Sequence, residues 1–591
     1  MKSTRYSYLI KKSFRNVLTA SLLSNMAMQL ATSIEVIIAG NYVSPDAVSV
    51  VNLSMPLISF INAAYMLLGI GASFRISRQL GNSDYEGVKS TFSCSTVVVV
   101  ALGMIITILM LVLYPTIARM LTFDEKLLGM LQEFLSISAF TPIFFVLMLH
   151  FSVCLKSIGN AKLIPQVTLI GTIVQVATAL LAVCIFGMGI KGIALSGCVG
   201  MATQSLLYFW KGVIGSELLS KFSFRFNIVS EIRENTKLSL PLFVSLVVAG
   251  FVFMSINNVV ASALGTDGLN IISVCVQLMF LSVMLMSGFN SAMMPIGNMM
   301  MGEGDIDGVR MLYASVMRMV LAIFVTLFVV IMIFPSAVLN IFGLDGNTVE
   351  NGGIYAIRIF AISIPLLAYS MMRMTCLMIL SYNKLASLSA ALRTIMQLVC
   401  IILIAQVAPQ HLWWGIPASI IFNETLIAFL SYRIYKRTPG ISPLTLIPKS
   451  ADSTIWSSSL SYDMQSLGHI LRVAEDFLRK SQVDDSTTSK LILTIEELAT
   501  NIIKFANKGK SNQRFDLLIR IMEDKIIVSL KDDGIPFNPI RQDGYNTIET
   551  KYVNDLLNES IGLRIVNNIG LHLEHRYMYG QNIVTILSSG K

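Results

Sequence analysis

The sequence predicts a polytopic α-helical membrane protein with twelve spanning helices in two six-helix repeats, followed by a C-terminal α/β sandwich. Three observations predict it. Apolar runs of spanning length recur up to about residue 435, short signatures return at a near-constant offset, and charge density changes abruptly near residue 450. Residues 451–591 hold 16 Lys/Arg and 18 Asp/Glu, an ordinary density for a water-exposed domain, whereas residues 1–450 hold 28 and 17 over a far greater length. The net charge of +9 therefore belongs to loops of the apolar part and is not a nucleic-acid footprint. The seven cysteines all lie in apolar segments without a CxxC, which predicts buried free thiols rather than disulfides or a metal site.

The N-terminal stretch MKSTRYSYLIKKSFRN is basic and lacks a small-residue cleavage site, so it reads as a cytoplasmic tail before a retained helix. Spanning helices are expected near 17–43, 49–72, 91–113, 130–155, 164–186, 190–212, 238–262, 269–298, 312–334, 352–380, 386–407 and 413–434. Basic residues gather in the N-terminal tail, in the 73–90 loop (Arg75, Arg78, Lys89) and in the loop after the sixth helix (Lys221, Arg225, Arg233, Lys237). The positive-inside rule then places both termini in the cytoplasm of a cell-membrane protein.

The repeat is read from GNSDYEGV at 81–88, which returns as GEGDIDGV at 302–309, an offset of 221 that also maps Asp46 onto Asp267. Later the offset becomes 223 and maps Pro142 onto Pro365, Asn160 onto Asn383 and Gly192 onto Gly415. Six helices is an even number, so both halves share one topology and relate by an axis along the membrane normal, a transporter architecture with a site between lobes. The expected domains are lobe 1 over 1–222, lobe 2 over 223–437, a linker over 438–453 and a cytoplasmic domain over 454–591.

IEVIIAGNYVSPDAVSVVNLSMPL, GIGASFRISRQLGNSDYEG, SIGNAKLIP and GMGIKGIALSG, in that order, resemble the multidrug and toxic compound extrusion (MATE) family over about residues 15–435. The resemblance implies an antiporter coupled to H⁺ or Na⁺ that exports small amphiphilic, often cationic, organic compounds. The family's helix-1 carboxylate is usually Asp; here it is Glu35, which adds a methylene.

Glu35 itself sits in an apolar helix, where a bare carboxylate costs roughly a few kcal/mol and must be protonated, paired or cation-bound. Glu424 is the second deep acid, with service as an arginine's structural partner as its rival reading. Arg318, Arg358, Arg373 and Arg393 also fall in apolar helices, where carbonyls or acids can hold them. Asn257 and Asn258 are candidate cation-coordinating oxygens or polar glue between helices. His150 reads as a satisfied core histidine. The 33 methionines, including MMPIGNMMM at 293–301, suit either ordinary core packing or a promiscuous apolar cavity.

The C-terminal part begins after the proline-bearing linker TPGISPLTLIPKSADS. A short strand (TIWSSSL), a helix over 463–480 and a second over 486–506 are followed by strands RFDLLIRIME and KIIVSLKD. A polar stretch, a helix near 562–569 and two last strands complete a β-meander with helices on one face. In TIEELATNIIKFA, Glu497 and Asn501 stand four residues apart on one helix face.

EELATN, DDGIPFNP, SIGLRIV and RYMYGQN resemble the GHKL ATPase superfamily, and within it the serine-kinase anti-sigma factors, over about 455–588. The resemblance implies ATP and Mg²⁺ as ligands. Glu497 would activate the attacking hydroxyl or water, Asn501 would ligate Mg²⁺, and Asp532 would accept from the adenine amino group. Gly534 would let the base approach the backbone, Gly562 would meet phosphate at a helix N-terminus, and Gly580 with Asn582 would close the final hairpin. Ser560 replaces a usual glycine and Phe505 a frequent histidine, which leaves ATPase or serine/threonine-kinase turnover open. GKS at 509–511 lacks the earlier glycine of a P-loop, and His469 lacks a phospho-acceptor context.

The combined expectation is a secondary antiporter whose cytoplasmic domain senses nucleotide or phosphorylates a regulatory protein of anti-anti-sigma type. A flippase for lipid-linked precursors and a transporter-like receptor signalling through the kinase-like domain are the alternatives.

Overall fold

Apolar sequence without turn residues folds as helix wherever no water can satisfy the backbone, and the computed structural model follows that rule over most of its length. It describes residues 7–122, 125–223, 227–341, 352–438, 440–449, 454–506, 514–534 and 571–589. The first repeat contributes α1 (Tyr8–Ile38), α2 (Pro45–Leu68), α3 (Ile70–Gly81), α4 (Tyr85–Leu121), α5 (Glu125–Ser138), α6 (Thr141–Ser157), α7 (Leu163–Leu180) and α8 (Ile190–Leu207). The second contributes α9 (Ile228–Glu303), α10 (Ile306–Ile333), α11 (Pro335–Ile341), α12 (Ile354–Ile379), α13 (Asn383–Val407) and α14 (Gly415–Arg437).

Among the described residues, ten helices are long and apolar enough to cross a membrane, or eleven if the pair bent by 51° around 139–140 is one span. The expected count of twelve is not reproduced as twelve separate spans. The seventh and eighth expected segments, 238–262 and 269–298, both lie in α9, whose helical assignment continues through the Gly/Asp cluster at 265–268. On α4 the side chains of Met104, Ile105, Ile108, Leu109 and Val112 are all exposed. Their one-, three- and four-residue spacing makes an exposed apolar stripe of the kind that faces lipid. All seven cysteines are free; Cys94, Cys154, Cys275 and Cys376 are buried as expected, whereas Cys184 is exposed.

The repeat shows itself in matched turn chemistry. In the first half Asp84 caps α4, its Oδ1 accepting from Gly87 N at 2.9 Å; in the second half Asp305 Oδ1 accepts from Gly308 N at 2.8 Å. The residue before each aspartate lies in the left-handed region, Ser83 at φ 55° and Gly304 at φ 73°. Each half thus ends one helix with a left-handed residue and starts the next with an aspartate cap.

The C-terminal part carries β1 (Ile455–Ser461), α15 (Met464–Lys480), α16 (Asp485–Asn501), β2 (Arg514–Ile521), β3 (Lys525–Asp532), β4 (His572–Met578) and β5 (Gln581–Ser589). The expected helix near 562–569 lies outside the described residues. The sheet is antiparallel with order β1-β2-β3-β5-β4, so it is not the simple meander that was expected. Composition explains the swap. β5 supplies Val584 and Ile586 to the core and suits the interior, whereas β4, with the sequence HLEHRYM, carries the charges that protect an edge. One sheet face packs Phe515, Leu517, Ile519, Ile526, Val528 and Leu530 under Leu467, Leu471, Leu478, Leu491, Ile495 and Leu498 of the two helices.

Compactness divides the chain otherwise than the expected contiguous domains. One unit joins 1–16, 303–312 and 448–591, and the other comprises 17–302 with 313–447. Within the first, Lys531 on the polar sheet face donates to both Glu303 oxygens, at 2.6 Å to Oε1, with side-chain exposures of 7% and 6%. Gly304 follows directly, and a Cβ there would lie 2.5 Å from Ile455 Cδ1.

A buried ion pair broken from one side leaves an uncompensated charge. Lys531→Ala should therefore lower the opening free energy of the β3 and β5 amides by about 3–5 kcal/mol in native-state hydrogen exchange on the full chain. Adding Glu303→Gln should recover most of the loss; unchanged protection in the single variant would show that Glu303 finds water instead.

Candidate functional sites

Asp532 ends β3 on the sheet face that α15 and α16 cover, and it is 3% exposed. Its Oδ1 accepts from Gly534 N at 2.8 Å and from Asn582 Nδ2 at 3.0 Å. Asn582 is its register partner across β3 and β5, and His575 Nε2 lies 3.3 Å from Asn582 Oδ1. Burial pushes the His575 imidazole below its ordinary value, so it stays neutral and orients the amide whose other end faces Asp532. Burial also pushes the Asp532 carboxyl above the usual carboxylate range, against the two hydrogen bonds that favour its charge. Among the described residues Oδ2 takes no hydrogen bond, which leaves an acceptor for a ligand donor.

Glu497 and Asn501 lie one turn apart near the end of α16, where the helix passes into a π turn over Ile502–Ala506. Glu497 is half-buried. Among the described residues Asn501 Nδ2 is buried without a hydrogen-bond partner, a donor still open to an acceptor. A buried amide and a half-buried carboxylate on α16, with a desolvated acceptor on the sheet face that this helix covers, fit a purine nucleotide with its metal. The Asn501 Nδ2 donor suits a phosphate oxygen, its Oδ1 would hold the Mg²⁺, and Asp532 would accept from the adenine amino group. Gly562 and Ser560 lie outside the described residues, as does the side chain of Phe505.

The membrane region treats its two acids differently. Glu35 Oε1 accepts from Ser196 Oγ at 2.8 Å. That donor is neutral, and no cation pairs with Glu35 among the described residues. Glu424 is paired: Arg373 Nη1 donates to Glu424 Oε2 at 2.9 Å, and Arg373 Nη2 donates to Ser431 Oγ at 3.1 Å. Arg393 donates to Ser245 Oγ at 3.3 Å, and Arg318 to its own helix carbonyl at Ala314. The side chains of Asn257 and Asn258 lie outside the described residues. His150 is fully buried, stacked on Phe92 and within 3.4 Å of Ser95 and Thr96. Met293, Met294, Met299 and Met300 are buried, as core methionines are.

Two residues that local sequence reading passed over lie beside the candidate nucleotide site. Tyr8 and Lys12 had been read only as part of a basic tail, and both reach Asp533. Only the acidic doublet Asp532-Asp533 could have signalled that one carboxylate needs a partner brought from elsewhere.

The MatE family matches residues 20–181, and the histidine kinase-like ATPase domain matches residues 460–587. The multidrug export protein MepA of Staphylococcus aureus is 22% identical over 310 residues, which is 51% of this chain and 67% of that protein. Its counterpart in Staphylococcus haemolyticus is 25% identical over 225 residues, so the chain spans about half, 48%, of that relative. A MATE structure solved in the bent conformation superposes with a TM-score of 0.65 at 18% identity, covering 74% of this chain and 100% of its own. A MOP superfamily transporter from Pyrococcus furiosus superposes at 0.64 and 18% identity, covering 73% and 99%. The chain thus couples a MatE domain of MATE transporter fold to a C-terminal histidine kinase-like ATPase domain.

Proposed function

We propose that this protein is a multidrug efflux antiporter, driven by a proton or sodium gradient and exporting small amphiphilic organic compounds across a cell membrane. Its ATPase-like domain faces the cytoplasm, binds Mg-ATP and regulates transport or a cytoplasmic partner protein. The observation that carries the transport reading is the unpaired state of Glu35. A carboxylate in an apolar helix that meets only neutral donors has an open choice between a proton, a sodium ion and a cationic substrate. Glu424 has made that choice already, with Arg373, so coupling is assigned to Glu35 first. The likeness to multidrug export proteins supports the substrate class.

For the nucleotide domain, bound Mg-ATP would supply a transferable phosphoryl group. Glu497 lies one helical turn from Asn501, near enough to take a proton from an attacking hydroxyl of a partner or from water. Asp532 selects adenine, because an ionised acceptor favours the amino group of adenine over the carbonyl of guanine. A lone domain of this kind carries no paired Walker machinery, so the gradient rather than ATP drives export.

Glu35→Gln should abolish efflux of a fluorescent organic cation from proteoliposomes under an imposed pH or sodium gradient, with membrane insertion unchanged. Glu35→Asp should retain transport. Undiminished efflux in the glutamine variant would remove Glu35 from the coupling mechanism, and efflux that required ATP at a fixed gradient would overturn secondary transport.

Asp532→Asn should weaken ATP binding by about 10- to 150-fold, since a hydrogen bond to a charged group is worth about 1.5–3 kcal/mol. Glu497→Ala should spare binding and stop any phosphoryl transfer. The folded-state pKa of Asp532 lies above the unfolded one, so stability is fully present below the ordinary carboxylate range and falls as pH rises through the folded value. The neutral amide removes that cost, so the ligand-free Asp532→Asn protein should melt no lower than wild type at neutral pH. ATP affinity should fall with acidification beginning above the usual carboxylate range. Calorimetric titration with ATP at several pH values, with a thermal melt on the same samples, checks these outcomes.

A further inference from the structure

In the compact unit that holds the sheet, the paired ends of β3 and β5 are engaged on two sides. Asp532 and Asn582 face the helix-covered side, where the nucleotide reading places adenine. Side chains alternate along a strand, which sends their neighbours Asp533 and Gln581 the other way. There both meet the same turns of α1. Tyr8 Oη donates to Asp533 Oδ2 at 2.9 Å, Lys12 forms an ion pair with the same oxygen, and Gln581 Nε2 donates to the Leu9 carbonyl at 2.9 Å.

This contact is built rather than incidental. The Asp533 side chain is fully buried, and among the described residues its Oδ1 has no partner and Lys12 is the cation that pairs with it. Leu9, Ile10 and Phe14 are buried at 2%, 2% and 4% exposure, which gives the N-terminal turns of α1 an apolar inner face. The two-residue turn between β4 and β5, Tyr579 at φ 54° and Gly580 at φ 80°, abuts Asn16: a Cβ on Gly580 would come within 2.4 Å of its Nδ2.

We propose that Lys12 and Tyr8 are positioning residues of the nucleotide site: by holding Asp533 they set the Asp532–Gly534 turn, so the adenine acceptor is complete only when the first turns of α1 are docked behind it. The proposal rests on the nucleotide reading above. With Lys12 absent, a second buried carboxylate stands uncompensated beside the adenine acceptor, and the turn must move to reach water. Adenine binding and docking of the N-terminal helix are then two sides of one equilibrium, and each strengthens the other by the same factor. The chain's own first helix thereby becomes part of a site whose other residues lie about five hundred positions later.

The test uses the full chain in lipid nanodiscs and titrates ATP and GTP separately into wild type, Lys12→Ala, Lys12→Arg and Tyr8→Phe. Lys12→Ala should weaken ATP about tenfold, a typical coupling between linked sites, and should narrow the preference for ATP over GTP, because the misplaced acceptor is what reads adenine. Lys12→Arg should restore both. Tyr8→Phe should show a smaller loss of the same kind, and saturating ATP should slow amide exchange over residues 8–16 in wild type. An unchanged ATP affinity in Lys12→Ala overturns the proposal, as does an equal loss for both nucleotides that arginine does not rescue. Wild type that fails to bind ATP at millimolar concentration overturns the nucleotide reading itself, a different result from wild type that binds and a Lys12 variant that binds equally well.

Discussion

A charge taken out of water must be met by a partner or kept for a ligand, and that constraint organises both halves of this chain. Desolvating a carboxylate or an ammonium costs several kcal/mol in real proteins, of the order of a whole domain's net stability. Buried charges are therefore arranged, not scattered. Glu424 is met by Arg373, Glu303 by Lys531 and Asp533 by Lys12. Glu35 and Asp532 stand apart from that pattern. Each is held by neutral hydrogen bonds, and neither forms an ion pair among the described residues.

The internal repeat shows how duplicated sequence takes on a new role. Both halves keep the helix, left-handed residue and aspartate cap at the turn, because that geometry is what reverses the chain. The first half places Asn82 and Ser83 before the cap, the second Glu303 and Gly304. Those two departures are the residues that meet the C-terminal sheet, one through a buried ion pair and the other by offering no side chain against Ile455. Divergence from the repeat consensus marks a docking surface, a signal visible in the sequence once the repeat is aligned.

Much of the architecture is legible locally. Spanning helices follow from apolar runs, the sandwich helices from their amphipathic period, and the strands from alternation and turn residues. The strand order was not legible: β5 lies inside β4 because edge strands tolerate charge and interior strands do not, and that is a property of neighbours.

The sequence by itself determined the composition of the two parts, the presence of the repeat, and the placing of Glu497 and Asn501 one turn apart on a helix face, because each rests on spacing along a short stretch of chain. Only the tertiary structure decided which acid is paired and which is open, and that Tyr8 and Lys12 meet Asp533 beside Asp532. The physical reason is range. Helix period and turn chemistry act over a few residues, whereas desolvation is felt by whatever the fold brings near, at any separation along the chain. Tyr8 and Asp533 are 525 residues apart and joined by a hydrogen bond, and no local pattern encodes such a meeting.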